Sequence, residues 1–133
     1  MSTNSVINIE QLNEEIRQAL KQYGQEVVNV LENTAQKVGK KAVADLKETS
    51  PKATGSYKKS WRLKEQPAKV AGEPKSYIVH NKDRYQLTHL LEYGHVSRNG
   101  ISRVKAYPHI AKTEQMVIED YYKMAKEGID EIK

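Results

Sequence analysis

An enzyme in this chain would have to be built on its four histidines and their acidic neighbours. His89 and Glu92 stand three residues apart and His95 follows three later. Such an H-x-x-E-x-x-H run could turn two imidazoles and a carboxylate towards a metal. It lacks the H-E-x-x-H spacing that puts two histidines one helical turn apart, and Gly94 intervenes before the second imidazole. The simpler reading is a short capped helix whose histidines bond local carbonyls. Nucleophilic chemistry has still less to work with. The chain has no cysteine, which removes thiolate nucleophiles, disulfides and thiolate zinc sites together. It has no G-x-S-x-G elbow and no glycine-rich phosphate loop. The acidic residues of the middle segment, Glu65, Glu73, Asp83 and Glu92, are too scattered for a carboxylate pair. The sequence therefore predicts no catalytic, cofactor-binding or metal-binding residue, and no enzyme.

Charge points to binding. The net +5 divides unevenly: residues 1–49 carry 6 basic and 7 acidic side chains, residues 50–112 carry 13 and 4, and residues 113–133 carry 3 and 6. The middle segment is thus +9 between flanks of −1 and −3. A basic centre of this kind faces nucleic acid or an acidic protein surface, or else serves solubility alone. Within it, Tyr57, Lys58, Lys59, Trp61, Arg62 and Lys64 interleave cations with aromatics, a pattern suited to phosphate contact and base stacking. Arg98, Arg103 and Lys105 would extend that surface. Against stacking, a lone Trp in a chain without Phe more naturally anchors the core. No segment reaches the ~20 apolar residues of a membrane span, and Met1–Ser5 lacks the basic and apolar regions of a signal peptide, so neither membrane insertion nor secretion is expected.

The elements that must carry these residues form one expected domain over 1–133, helical at 1–49, sheet with a short helix at 50–107, and helical at 108–133. Ile9, Leu12, Ile16, Ala19/Leu20, Tyr23, Val27, Val30/Leu31, Ala35, Val38, Ala42 and Leu46 recur at steps of three and four, the stripe of an amphipathic helix. Asn8 with Gln11 suits its N-cap, and Pro51 stops it. Such a helix would be about 60 Å long, whereas a compact chain of this size has a radius of gyration of roughly 14 Å. Either it breaks at Gly24 or Gly39, or it projects and needs a partner. Ser50–Ser56 reads as a flexible turn, Ser60–Glu65 and Tyr77–His80 as strands, and Tyr85–Tyr93 as a short helix with Leu87, Leu90 and Leu91 inward. Asn99-Gly100 marks a hairpin between His95–Ser97 and Ile101–Lys105. After Pro108, Ile110, Glu114, Val117/Ile118, Tyr121, Ala125 and Ile129/Ile132 trace a closing amphipathic helix. The sum is an α+β fold: a long N-terminal helix, a small antiparallel sheet with a short helix, and a C-terminal helix.

Three stretches in order, Thr54-Gly55-Ser56-Tyr57-Lys58-Lys59-Ser60, Thr88-His89-Leu90-Leu91-Glu92-Tyr93-Gly94-His95 and Ala106-Tyr107-Pro108-His109-Ile110, resemble the head–tail joining (tail-completion) proteins of long-tailed, non-contractile bacteriophages and prophages. The resemblance implies a non-enzymatic virion protein of the neck, assembled in the bacterial host cytoplasm, without cofactor. It implies a ring of identical subunits, six expected, docked between head-completion and tail-terminator proteins, with at most weak non-specific DNA contact. Gly55, Trp61, Leu91, Tyr93, Gly94 and Pro108 would then keep the fold, with Leu91 and Tyr93 packed on the sheet. Tyr57, Lys58, Lys59, Arg62, Lys64, Arg98, Arg103 and Lys105 would face partners. The competing reading is a nucleic-acid-binding module using Lys58, Lys59, Trp61, Arg62 and Arg103.

Overall fold

A computed structural model describes residues 9–51, 55–97 and 100–132. Helix α1 (Ile9–Thr49) runs 41 residues without interruption, about 61 Å. Neither glycine breaks it. Gly24 has open space where a side chain would stand, and Gly39 sits where a Cβ would fall 2.6 Å from Leu63 Cδ1. Gly39 therefore packs closely on Leu63, whose side-chain end would have to shift to admit a Cβ. The helix stops where the Ser50 N–H reaches back to the Leu46 carbonyl (3.0 Å), one residue before Pro51. The N-cap expected at Asn8 lies outside the described residues.

Helix α2 (Ser56–Lys59), a single turn, follows Gly55, whose φ of 80° is left-handed. The sequence reading had only a turn here. Strand β1 (Trp61–Gln66) pairs antiparallel with β2 (Ser76–Asn81), in a register running from Trp61↔Asn81 to Gln66↔Ser76. Helix α3 (Leu87–Tyr93) comes next, then the short antiparallel pair β3 (His95–Val96) and β4 (Arg103–Val104), then helix α4 (Ile110–Asp130). The α+β class holds, with two separate two-stranded ladders in place of one sheet. The Arg98–Asn99 turn lies outside the described residues.

The C-terminal half of α1 is the spine. One face lies against β1 and β2, and another receives α4 antiparallel. Thr113 bonds Asp45, Lys41 Nζ sits 2.7 Å from Asp120 Oδ2, and a Cβ at Gly128 would fall 2.6 Å from Val30 Cγ1. The core is Leu46, Tyr57 and Trp61, with Val43, Val79, Leu87, Leu91 and Ile110 packed around them.

Two packing expectations fail on α3. Tyr93 is 67% exposed and Leu90 also faces out, whereas Glu92 is buried. On a helix, residues two apart point to opposite sides, so Leu91 and Tyr93 cannot both reach the core. Leu87 and Leu91, four apart, take the inner face. Leu90, 100° round the helix from Leu91, falls at the edge of that face and stays 41% exposed. No described helix is long and apolar enough to cross a membrane.

Candidate interaction surface

The joint between α3 and α4 is set by one buried carboxylate. The N-terminus of α4 offers backbone N–H groups that no helical carbonyl can satisfy. Glu92 supplies the acceptors from another element: Oε1 accepts from the N–H of His109 and of Ile110, both at 2.8 Å, and Oε2 from that of Ala111 at 3.0 Å. Burial alone would raise the Glu92 pKa. The three N–H bonds and the nearby His109 ring outweigh it and hold the carboxyl below its ordinary range. His109 continues the network. Its Nδ1 lies 2.6 Å from the Tyr107 carbonyl and 3.2 Å from Glu92 Oε1, both of which can only accept, so Nδ1 carries a proton, and its Nε2 is hydrogen-bonded to the Tyr57 hydroxyl at 2.7 Å. Burial, reinforced by the negative charge of Glu92, pushes the Tyr57 pKa up to about 12. Tyr57, Trp61 and His109 meet edge to face, and Trp61 Nε1 donates to Ser50 Oγ at 2.8 Å.

This network fixes the chemistry of the sequence-singled residues. Tyr57 is fully buried and cannot face a partner, because the α2 turn points it at Leu46 and His109. Trp61 is 4% exposed, which removes it from any base-stacking platform. Glu92 spends both oxygens on α4 and does not converge with His89 and His95. Among the described residues no three His, Asp or Glu side chains come together as a metal site. His89 instead stacks on Tyr93 at 6.2 Å between ring centroids.

The remaining cations lie outside. Lys59, Arg62 and Lys64 are exposed and Lys58 half-exposed, and Arg62 Nη1 donates to the Lys59 and Trp61 carbonyls. Arg103 and Lys105 are exposed on and after β4, and Arg103 Nη2 ties the pair to α3 through the Tyr93 carbonyl at 2.9 Å. Arg98 lies outside the described residues. Gly94 (φ 74°) ends α3 at a close crossing, where a Cβ would fall 2.5 Å from the Val104 carbonyl. Pro108 is exposed just before α4.

Exposed apolar side chains gather in three places. The first is the N-terminal half of α1, which extends past the end of α4. Residues 10–25 are all exposed, with Leu12, Ile16, Leu20 and Tyr23 in one stripe. That stripe continues the face which α4 covers further along. The second is the α3–β4 face, where Tyr93, Val96, Val104 and Tyr107 stand out beside Arg103 and Lys105. The third is a shallow groove of about 630 Å³ on α4, formed chiefly by Val117, Ile118, Tyr121, Tyr122 and Ile129.

The sequence reading missed Glu92 as a cap. The available signal was an acidic residue in a basic segment, preceding a helix start that has no Ser, Thr, Asp or Asn at its N-cap. Residues 14–94 match the family described as "Bacteriophage HK97-gp10, putative tail-component". No curated protein and no solved structure matches the chain.

Proposed function

This chain belongs to the HK97-gp10-like family of bacteriophage tail components, and from that premise we propose that it joins DNA-filled heads to tails as a non-catalytic homo-oligomeric ring in the virion neck. The coarser role, a structural protein of a phage particle, follows from the family itself. The finer reading rests on one observation: among the described residues, half of α1 projects from the body with an apolar stripe, Leu12, Ile16, Leu20 and Tyr23, that stays about half exposed or more. Leaving four large apolar side chains in water on one straight helix is costly, at about 25 cal/mol per Å² of apolar surface. A partner surface relieves it. Contacts between an arm and a different face of the next subunit are heterologous, and such contacts build a ring when the rotation between subunits closes. The basic middle segment gives such a ring a charged face for its neighbours above and below. Six copies per particle are expected, seated between head-completion and tail-terminator proteins.

Quantitative mass spectrometry of purified complete particles, isolated heads and isolated tails tests the reading. The chain should be present in complete particles at a ring-like copy number. A chain abundant along the whole tail, or absent from complete particles, would contradict it.

A further inference from the structure

The proposed ring leaves open which face of the neighbour receives the projecting arm. At 100° per residue the arm's stripe has Glu15 and Glu26 along one edge and Arg17 along the other, whereas Lys21 falls on the far side. Arg17 is already paired with Glu14 at 3.3 Å. The surface around the stripe is therefore apolar with an acidic edge. On the body, the α3–β4 face has the opposite character. Tyr93, Val104 and Tyr107 are exposed beside Arg103 and Lys105, and the one carboxylate of α3, Glu92, is buried under α4. Lys105, Glu15 and Glu26 belong to no ion pair among the described residues.

We propose that the N-terminal arm of α1 docks on the α3–β4 face of a second copy of this chain, its stripe on Tyr93, Val104 and Tyr107 and its acidic edge on Arg103 and Lys105. The inference rests on the ring reading and names its interface. The two surfaces differ in shape and are opposite in charge, so the contact is head-to-tail and propagates from subunit to subunit. The groove on α4 is a weaker receptor, because its one lining cation, Lys126, is already paired with Asp130 at 3.0 Å. An arm of about 24 Å covered on one face buries on the order of 400–600 Å² per partner, below the ~800 Å² of a standard stable interface. A single contact is thus weak and salt-sensitive, and closure of the ring strengthens it.

The test is sedimentation of the full chain over a concentration series at low and high salt, with two charge-reversal variants, Glu15→Lys with Glu26→Lys and Arg103→Glu with Lys105→Glu. Each variant alone should lower self-association about tenfold or more, and an equimolar mixture of the two should recover part of it. That recovery also shows that both variants fold. A third variant, Leu20→Asp, should abolish association without lowering thermal stability, since Leu20 is 65% exposed. If the wild type associates but ignores both reversals, the proposed interface is wrong and the ring stands. If Leu20→Asp alone disrupts association, the arm docks elsewhere, the α4 groove included, and the proposal again fails. A wild type monomeric at every concentration, and present in particles as a single copy, overturns interface and ring together.

Discussion

Removing the carboxylate of Glu92 should unlock α4 from α3, and two substitutions separate its charge from its mere presence. In the wild type three backbone N–H groups donate to it at 2.8–3.0 Å, with the side chain 5% exposed. A hydrogen bond to a charged group contributes about 1.5–3 kcal/mol net, and a negative charge at a helix N-terminus a further ~0.3–1 kcal/mol. The desolvation of the carboxylate opposes these, so they do not simply add. Glu92→Ala leaves three N–H groups without acceptors in a buried joint, and should cost about 3–5 kcal/mol, the range seen when one partner of a buried charged contact is removed. Glu92→Gln keeps one acceptor oxygen and should cost about 1–2 kcal/mol. Urea unfolding followed by the fluorescence of Trp61, the single Trp and a buried one, reads both. The acid limb supplies a second readout. A carboxyl whose folded pKa is lowered contributes stability that is fully present above its unfolded value of 4.5 and is lost as pH falls through the lower folded value. Wild type should lose that contribution below pH 4.5, and Glu92→Gln should lack that part of the slope. An alanine variant within about 0.5 kcal/mol of wild type, the range of an ordinary surface change, would refute the cap.

Tyr57 should act at the opposite end of the pH scale. Its pKa is raised from 10.0 to about 12, so its contribution is complete below pH 10 and lost as pH rises from there towards 12. Tyr57→Phe should cost about 1–2 kcal/mol at neutral pH, by leaving buried His109 Nε2 without its hydrogen-bond partner, and should flatten the alkaline limb in a pH series of melting curves. The two glycines of α1 should respond oppositely to alanine. Gly24→Ala should stabilise by up to about 1 kcal/mol because the site is open and helical, whereas Gly39→Ala forces Leu63 aside and should be neutral or destabilising by about 1–3 kcal/mol, both measured by chemical denaturation. Duplex DNA titrated at two salt concentrations should bind weakly, with strong salt dependence and no quenching of the buried Trp61; sub-micromolar binding that survives salt would favour the nucleic-acid reading.

How far the fold was legible depended on whether a signal was local. The stripe of α1, the alternation of Trp61 and Leu63 with Arg62 and Lys64, and the stop signals at Pro51 and Gly94 are written in consecutive residues, and the corresponding elements sit where periodicity and turn chemistry place them. The fate of the glycines was not legible, because what excludes a side chain at Gly39 is Leu63, twenty-four residues away. Tyr93 was misplaced when a motif was read as a unit, although helix geometry already forbids Leu91 and Tyr93 one common face. Tyr57 looked like part of a basic aromatic surface because the single turn of α2 that buries it has too few residues to show a period. The remote cap at Glu92 joins positions seventeen to nineteen apart, a distance no local pattern spans. The surface cations were legible as charge, and their grouping against the acidic edge of the arm required the three-dimensional positions of both.

The most direct test of the joining role is electron microscopy of lysates from the phage or prophage deleted for this gene, before and after addition of the purified chain. The account predicts separate DNA-filled heads and completed tails in the lysate, and intact particles with recovered infectivity once the protein is added. Normal infectious particles without the protein, or tails that never form, would contradict it.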